Sequence, residues 1–281
     1  MILVTGAGGK TGKAILEALS TQPEPVRAWV RRPQQIEGLT CTDWIAGDMR
    51  DAPFWDAACK GVRAIYHICP NLHPSEVAIS RVAIKAALLA GVEHFVYHSV
   101  LHPQTETMPH HWRKLRSEEL LLASGLPVTI LQPSSYMQNL LAHWESISAQ
   151  GIYPVPYNPD ARLSLVDLRD VAAAAVRVLT EAGHVGATYE LAGPQPLSAN
   201  EVAALLAAGL NRPIRAERVA WDTWEADARQ REMSDDAMAT LLAMFRYYDS
   251  FGLVGNSNVL GWLLGRAPTT FASFATSAAS R

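Results

Sequence analysis

A glycine-rich segment near the start of the chain has the residue types and spacing of a phosphate-binding loop. The segment TGAGGKTG follows a short apolar run and precedes an amphipathic one. Gly6 permits a tight turn, Gly9 lets a phosphate approach the backbone, and Gly12 lets a helix lie close to the strand. Lys10 and Thr11 add a charge and a hydroxyl beside the N–H groups and dipole of a helix N-terminus. The segment therefore predicts dinucleotide binding.

The residues after the second and third predicted strands bear on which dinucleotide binds. Arg31 and Arg32 stand where an NAD-preferring site normally has an acidic residue for the ribose 2′-hydroxyl. Guanidinium groups suit a 2′-phosphate, so we expect NADP(H) in preference to NAD(H). Asp48 and Met49 belong to the same predicted site, with Asp48 placed to reach the adenine amino group. An aspartate after a glycine is also a common turn residue.

Histidines are concentrated at the edge of the predicted sheet where the strands end. Imidazole titrates near pH 6.5, so it can supply a proton without large changes in its pKa. Histidines also serve as helix caps, solvated loop residues and core donors. Their spacing matches no HExxH motif or facial triad, and we predict no metal site. The histidines concerned are His67, His73, His94, His98, His102, His110 and His111.

The segment after the fourth predicted strand passes beside the expected nicotinamide ribose. Cys69 and Pro70 are assigned to the cofactor site and Asn71 to the substrate. For Cys69 the favoured alternative is a small buried apolar residue.

The segment after the sixth predicted strand is expected to line both ligands. Pro133 and Ser134 are assigned to the cofactor, while Tyr136 and Asn139 are expected to orient the substrate. Such residues also occur as ordinary core or lid packing. The remaining residues assigned to the substrate are His98, His111 and Trp144.

The elements that must position these residues alternate between strands and helices. This alternation predicts an α/β fold, a Rossmann-type doubly wound parallel sheet with a smaller, mainly helical C-terminal substrate lobe. We expect a cofactor-binding lobe over residues 1–155, with residues 163–182 packing back on it, and a substrate lobe over residues 156–281. Pro154–Pro159 is predicted to be a loop. Gly91 is expected to end a helix over Pro74–Ala90.

Composition restricts the class of protein. Hydrophobic residues make up 49% of the chain and charged residues 18%, with a formal net charge of −3. Because no large basic surface is indicated, we expect neither nucleic acid nor a membrane as a partner. Three cysteines without paired or metal-ligand spacing indicate reduced thiols. We expect no signal peptide, no transmembrane helix and a cytoplasmic location.

Several segments together resemble the atypical, NmrA-like branch of the short-chain dehydrogenases/reductases. The matching segments are TGAGGKTG, WVRRP, AGDMRD, VEHFVYHSV, KLRSEELLLASGLPVTILQPSSYMQN, SLVDLRDVAAAAVRVL and YYDSFGLVGNSNVLGWLLGRAPTTF. The resemblance implies a Rossmann lobe, a smaller C-terminal lobe and a nicotinamide cofactor. The family contains NADPH-dependent reductases and also redox-sensing regulators, so the resemblance alone does not establish activity.

This chain departs from the superfamily pattern where a serine and a tyrosine are usual. Lys114 matches the conserved lysine pattern, but the tyrosine position is His110 and the serine position is Val100, one past Ser99. The resemblance therefore implies a reductase without the Ser-Tyr pair. Lys114 is assigned to the nicotinamide ribose and to catalysis. His110 is the first candidate for the acid, with His102 and His111 as alternatives.

The sequence as a whole predicts an NADPH-dependent reductase that transfers hydride to a small organic acceptor. The candidate acceptors are an enone, a quinone, an imine or an iminium. An iminium is neutralised by hydride without a proton donor, which suits a site lacking tyrosine. The alternatives are an NADP(H)-binding redox sensor without turnover and a non-redox catalyst on the same scaffold. We expect a monomer or a homodimer.

Overall fold

A computed structural model describes residues 1–279, and contacts divide the chain into two compact units. Unit 1 comprises Met1–Gln104, His111–Gln132 and Leu168–Tyr189. Unit 2 comprises Thr105–His110, Pro133–Asp167 and the chain from Glu190 onward. The sequence predicts one boundary near residue 155, whereas each unit draws on three separate segments. Residues 133–155 belong to unit 2.

The strands of residues 1–279, in chain order, are β1 (Ile2–Val4), β2 (Val26–Val30), β3 (Asp43–Ala46), β4 (Ala64–His67), β5 (His94–His98), β6 (Val128–Pro133), β7 (Ser135–Tyr136), β8 (Ile152–Val155), β9 (Leu163–Val166), β10 (Thr188–Leu191), β11 (Pro196–Leu197) and β12 (Arg215–Arg218).

The α-helices of the same residues are α1 (Lys10–Leu19), α2 (Ala52–Ala58), α3 (Glu76–Leu89), α4 (Pro109–Leu122), α5 (Leu168–Thr180), α6 (Ala199–Leu210), α7 (Trp221–Gln230), α8 (Asp235–Phe251), α9 (Ser257–Leu264) and α10 (Phe271–Ala279). Short 3₁₀ segments occupy Pro33–Ile36 and Met137–His143, and a π-helical turn occupies Ser146–Gln150. None of the helices within residues 1–279 has the length and apolar character needed to cross a membrane.

The larger sheet has its strands in the order β10-β6-β5-β4-β1-β2-β3. β1 pairs in parallel on both sides, since Leu3 lies opposite Arg27 of β2 and opposite Ile65 of β4. The chain thus builds outward from β1 in both directions. This arrangement puts the topological switch point, where ligands bind in such sheets, at the carboxyl ends of β1 and β4. The predicted doubly wound parallel sheet is confirmed.

Helices cover both faces of this sheet, which explains why its central strands are apolar on both sides. On one face α1 buries Ile15 and Leu19 and packs against α5. On the other face α2 and α3 enclose a core that includes Trp29, Trp55 and Phe95. The predicted helix end at Gly91 is confirmed, because this glycine has a φ of +67° directly after α3.

Unit 2 combines small sheets with the helices of the C-terminal region. β9 pairs in parallel with β7 and antiparallel with β11, and β8 pairs in parallel with β12. The predicted loop over Pro154–Pro159 is wrong at its start, since Pro154 and Val155 belong to β8. Pro154 is tolerated there because β8 is an edge strand of its sheet. The predicted helical character of the C-terminal region is confirmed by α6–α10.

Candidate functional site

The glycine loop of unit 1 has the geometry of a phosphate cradle. Gly6 has a φ of +61°, and a Cβ there would lie 2.9 Å from the Ile68 carbonyl oxygen. A Cβ on Gly12 would overlap the Gly6 oxygen, so this glycine allows α1 to lie against the loop. Above Gly9 a Cβ would meet only the Gly6 oxygen within 4 Å. Gly6 has the turn conformation and Gly12 the close helix contact that the sequence predicts, while the approach of a phosphate to Gly9 stays a prediction.

The N-terminus of α1 suits an anion. Its N-cap is Gly9, which makes no side-chain capping bond, and its first turn contains no acidic residue. Lys10, which is exposed, and Thr11, which is half-buried, open that turn. The positive end of the helix dipole is therefore not neutralised by a carboxylate of its own first turn, as a pyrophosphate site requires.

Two exposed arginines directly follow β2 beside this loop. Arg31 and Arg32 lie on the surface, and the Arg32 backbone N–H donates to Gln35 Oε1 at 2.9 Å. Gln35 also packs against Gly8, because a Cβ on Gly8 would lie 3.0 Å from the Gln35 Cβ. The contacts of Gln35 with Arg32 and Gly8 were not predicted from the sequence. Pro33 is a start signal for the short helical turn that contains Gln35.

Asp48 is paired with a neighbouring arginine. Arg50 Nη2 lies 2.6 Å from Asp48 Oδ2 on the surface, and these hydrogen bonds lower the pKa of Asp48 to about 2. Arg31 adds a weaker electrostatic contribution in the same direction. Met49 is buried, and its carbonyl accepts a hydrogen bond from Trp55 Nε1 at 2.7 Å. The Met49 side chain is thus part of the core in this structure.

Lys114 lies in a buried ion pair. Its Nζ is 2.6 Å from Glu76 Oε1, and the two side chains are 5% and 0% exposed. The same Nζ donates to the His98 carbonyl at 2.8 Å and lies 4.9 Å from the ring centre of Tyr97. The Tyr97 hydroxyl donates to Glu76 Oε1 at 2.7 Å. Glu76 was not identified from the sequence.

A second buried carboxyl group, that of Glu118, binds Ser99, which is next to the predicted serine position at Val100. Ser99 Oγ donates to Glu118 Oε1, and Gln132 Nε2 donates to both carboxylate oxygens at 3.0 and 3.1 Å. Burial raises the pKa of Glu118, against these hydrogen bonds. The Ser99 hydroxyl is therefore occupied within the protein interior.

Two of the histidines have structural partners inside unit 1. His98 Nδ1 is hydrogen-bonded to the Tyr66 hydroxyl at 2.7 Å, and His67 Nδ1 to the Thr5 hydroxyl at 3.0 Å. Burial, with a smaller effect of the Lys114 charge, lowers the pKa of each imidazole to about 3. Both are neutral near pH 7. His98 was assigned to the substrate, but its ring lies in the interior of the sheet.

The candidate acids lie at the start of α4 and just before it. His111 is fully buried, its Nδ1 donates to the His102 carbonyl at 3.2 Å, and burial lowers its pKa to about 4. His102 is half-buried and has a φ of +53°. His110 is buried and stands one turn before Lys114 in α4. His111 is therefore the least suited of the three to act as a cationic acid.

The segment after β4 divides between interior and surface. Cys69 is buried, and burial followed by the nearby Glu76 carboxylate raises its pKa well above the usual value. Pro70 and Asn71 are exposed. Exposure leaves Pro70 and Asn71 accessible to a ligand, whereas Cys69 has the surroundings of an apolar core residue.

In unit 2 the last residue of β6 is followed by a residue with a buried hydroxyl group. Pro133 and Ser134 are buried, and the Ser134 backbone N–H donates to the Leu191 carbonyl at 3.1 Å. Ser134 Oγ is buried, and within residues 1–279 nothing hydrogen-bonds to it. A buried hydroxyl of this kind needs water or a ligand to complete its hydrogen bonding.

Unit 2 also contains a cavity of about 200 Å³ with aromatic walls. Two predicted substrate residues, Tyr136 and Asn139, line it, whereas Trp144 lies outside its lining. The Trp224 and Phe245 rings meet edge to face at 5.0 Å, and the Tyr157 and Tyr248 rings do so at 5.9 Å. The aromatic residues of the lining are Tyr136, Tyr153, Tyr157, Trp224, Phe245 and Tyr248.

Burial shifts the pKa values of Tyr153, Tyr157, Tyr248 and His143 in this cavity toward the uncharged form. The Tyr153 and Tyr157 side chains share a hydrogen bond, and burial raises the pKa of Tyr153 to about 12. Burial also lowers the pKa of His143, aided by the Arg231 charge. The lining contains no Asp, Glu, Lys or Arg. Such a cavity suits a flat, mainly apolar ligand that accepts hydrogen bonds from phenol groups.

Comparison with protein families gives one match that spans nearly the whole chain. The model of the NmrA-like family matches residues 1–274.

Two characterised relatives cover most of the chain. An NAD(P)H azoreductase of Xenophilus azovorans is 31% identical over 278 residues, which is 98% of this chain and 96% of that protein. A (4-alkanoyl-5-oxo-2,5-dihydrofuran-3-yl)methyl phosphate reductase of Streptomyces griseus subsp. griseus is 36% identical over 226 residues, covering 79% of this chain and 78% of that protein.

A solved structure with a bound cofactor shares the fold. The crystal structure of an NADPH-dependent quinone oxidoreductase of Escherichia coli, complexed with NADPH, superposes with a TM-score of 0.86 at 27% identity and covers 99% of both chains.

Proposed function

Because this chain belongs to the NmrA-like family, we propose that it is an NADPH-dependent reductase of small organic acceptors. The observation that carries the proposal is the glycine loop at the N-terminus of α1, with two exposed arginines at the end of the adjacent strand. NADPH, when bound, supplies a hydride. The protein's own residues bind it, orient it and supply the proton.

The cofactor assignments follow the geometry of unit 1. Gly9 leaves room for the pyrophosphate at the N-terminus of α1. Arg31 and Arg32 suit the 2′-phosphate, which supports NADPH over NADH. At the nicotinamide end, Lys114 offers a fixed positive charge.

The relatives support reduction without selecting the acceptor. Their names specify an azoreductase, a dihydrofuranone phosphate reductase and a quinone oxidoreductase. We therefore base the acceptor on the aromatic cavity of unit 2. We propose a ring-bearing acceptor, with Tyr136 and Asn139 orienting it. Enones and quinones fit its phenol donors, and imines or iminium ions fit its ring faces.

The proton is proposed to come from a group other than a Ser-Tyr pair. The Ser99 hydroxyl is bonded to Glu118, and His110 occupies the position four residues before Lys114. We assign His110 as the acid, with His102 as the alternative. An iminium acceptor needs no proton, so only enones, quinones and imines depend on this residue.

Calorimetric titration with NADP⁺, NADPH, NAD⁺ and NADH tests the cofactor. We expect the phosphorylated pair to bind more tightly, and Arg31→Ala to weaken that pair by about tenfold because a charge-assisted contact is lost. Arg229→Ala is the matched control, since Arg229 is an exposed arginine of unit 2 that pairs with Glu225. It should leave all four affinities unchanged.

Loss of NADPH absorbance in the presence of enones, quinones, azo compounds and imines then tests turnover. Oxidation of NADPH with any of these acceptors supports the proposal. Tight NADPH binding without oxidation by any acceptor class would instead indicate a redox sensor. Failure to bind any dinucleotide would contradict both functions.

A further inference from the structure

The ion pair between Glu76 and Lys114 is almost completely buried, with the Glu76 side chain 0% exposed and the Lys114 side chain 5% exposed. Glu76 lies in the first turn of α3, Lys114 lies in α4, and the His98 carbonyl at the end of β5 accepts from the same ammonium. The pair therefore joins two helices to the carboxyl end of a strand. That end of the sheet is where ligands bind in doubly wound folds.

Hydrogen-bond accounting shows that the pair is incomplete. An ammonium has three N–H donors. Glu76 and the His98 carbonyl take two of them, which leaves one next to the Tyr97 ring. Glu76 Oε2 is buried and accepts no N–H or O–H hydrogen bond from residues 1–279, and the Cys69 thiol is only a weak donor to this carboxylate. A hydroxyl group or a water molecule can accept a hydrogen bond from the remaining Lys114 N–H and donate one to Glu76 Oε2.

Stability alone is a weak reason to keep this pair. Two buried charges lose their hydration, and well-packed apolar residues of similar volume are often equally stabilising. A buried charge is useful, however, when a ligand needs a cation in one fixed place. Only Lys114 of the two retains slight exposure, so Glu76 reaches a ligand through Lys114 or through a bridging water.

We propose that Glu76 is a positioning residue for NADPH: it fixes the Lys114 ammonium so that this group can bind a hydroxyl of the nicotinamide ribose. The inference rests on the proposed function, because it names the same cofactor. Tyr97, which donates to the same carboxylate oxygen, holds Glu76 in its orientation.

A double-mutant cycle on NADPH affinity tests this role. Calorimetry gives the Kd of the wild type, Glu76→Gln, Lys114→Met and the double variant. We expect each single variant to raise the Kd by about tenfold, and the double variant to match Lys114→Met, because residues that act as one unit are not additive. Thr129→Val is the control: it removes a buried hydroxyl that is hydrogen-bonded to His94 and to the His184 carbonyl, and neither partner belongs to the Glu76–Lys114 pair.

The outcomes separate the possible failures. A folded Glu76→Gln protein with wild-type Kd would overturn the inference and leave the proposed function standing. An equal loss of affinity from Glu76→Gln in the Lys114→Met background would also overturn it, because Glu76 would then act independently of Lys114. If Glu76→Gln alone does not fold, comparison of Lys114→Met with Lys114→Met/Glu76→Leu replaces it, and equal Kd values are expected. A wild type that does not bind NADPH would contradict the inference and the proposed function together.

Discussion

The two candidate ligand regions, the cofactor region of unit 1 and the cavity of unit 2, differ in the charge of the side chains that surround the ligand. In unit 1 the buried polar groups include carboxyl groups and an ammonium that hold other side chains, as Glu76 holds Lys114 and Glu118 holds Ser99 and Gln132. The cavity of unit 2 is lined by rings and phenols and contains no charged residue in its lining. Charged groups in fixed positions suit a cofactor, because its phosphate and hydroxyl groups are the same in every reaction. Ring surfaces suit acceptors that share only a flat shape.

The same difference decides how each region should respond to substitution. A buried charge that loses its partner remains in a place where water cannot solvate it, so folding stability suffers. A ring on the wall of a cavity already borders open space. Its removal should therefore affect the ligand more than the fold.

The largest expected effect comes from breaking the buried ion pair. Lys114→Met leaves the Glu76 carboxylate unpaired, and we expect the free energy of unfolding to fall by about 3–5 kcal/mol. Urea denaturation measures this value. The loss is a large fraction of the total stability of a typical domain, which is about 5–15 kcal/mol.

The matched variant removes both charges at once. Lys114→Met/Glu76→Leu should recover most of the lost stability, because no uncompensated charge remains. Glu76→Leu also removes the acceptor of the Tyr97 hydroxyl, so part of the loss remains. If the double variant is as unstable as Lys114→Met, the loss of stability does not come from the unpaired Glu76 carboxylate.

Much of the fold was predictable from the sequence because its signals are local. β1, β2 and β4 are short apolar runs, and the glycine loop stands directly between the first strand and its helix. α2 was missed, although Asp51 at its N-cap position and Pro53 in its first turn are start signals. The pairing of β8 with β12 was not predictable, because the two strands are far apart in the chain and each is short.

The candidate site was predictable only where its residues form a motif. The glycine loop is a run of consecutive residues, and the two arginines after β2 are likewise neighbours in the sequence. Glu76 gave no such signal, since an acidic residue in the first turn of a helix is ordinarily explained by the helix dipole. Its partnership with Lys114 depends on how α3 and α4 pack. The cavity likewise draws on β8, α7 and α8, which no sequence window contains together.

The second expected effect lies in the cavity. Trp224→Ala removes a ring that packs edge to face on Phe245, and an aromatic pair of this kind contributes about 0.5–1.5 kcal/mol. We expect the KM of a ring-bearing acceptor to rise by about two- to tenfold. The Kd of NADPH, measured by calorimetry, should not change.

A second tryptophan of unit 2 provides the control. Trp262 is 73% exposed and lies outside the cavity lining, so Trp262→Ala should alter neither constant. An unchanged acceptor KM in Trp224→Ala would remove the cavity from the proposed substrate site. A parallel loss of NADPH affinity would remove the contrast between the two regions.

The smallest expected effect concerns pH and again separates the regions. His98 has a pKa of about 3 in the folded protein, against an ordinary value of 6.5. Between pH 3 and pH 6.5 His98 is protonated in the unfolded chain but neutral in the folded protein. Protonation therefore stabilises the unfolded state, and the free energy of unfolding falls as the pH falls below 6.5. His98→Gln removes this dependence. Relative to the wild type, the variant should gain about 1 kcal/mol of unfolding free energy between pH 6.5 and pH 5.5.

Urea denaturation at several pH values measures this difference in slope. Ser80→Ala controls for general destabilisation, since it removes a buried hydrogen bond to Ser117 and leaves the histidines intact. Tyr153→Phe should show the wild-type slope across the same range, because burial raises the pKa of that phenol to about 12 and it stays neutral throughout. A His98→Gln profile parallel to that of the wild type would mean that His98 gains its proton without unfolding. The interior of unit 1 would then be open to water, which would remove the basis for treating its charges as fixed.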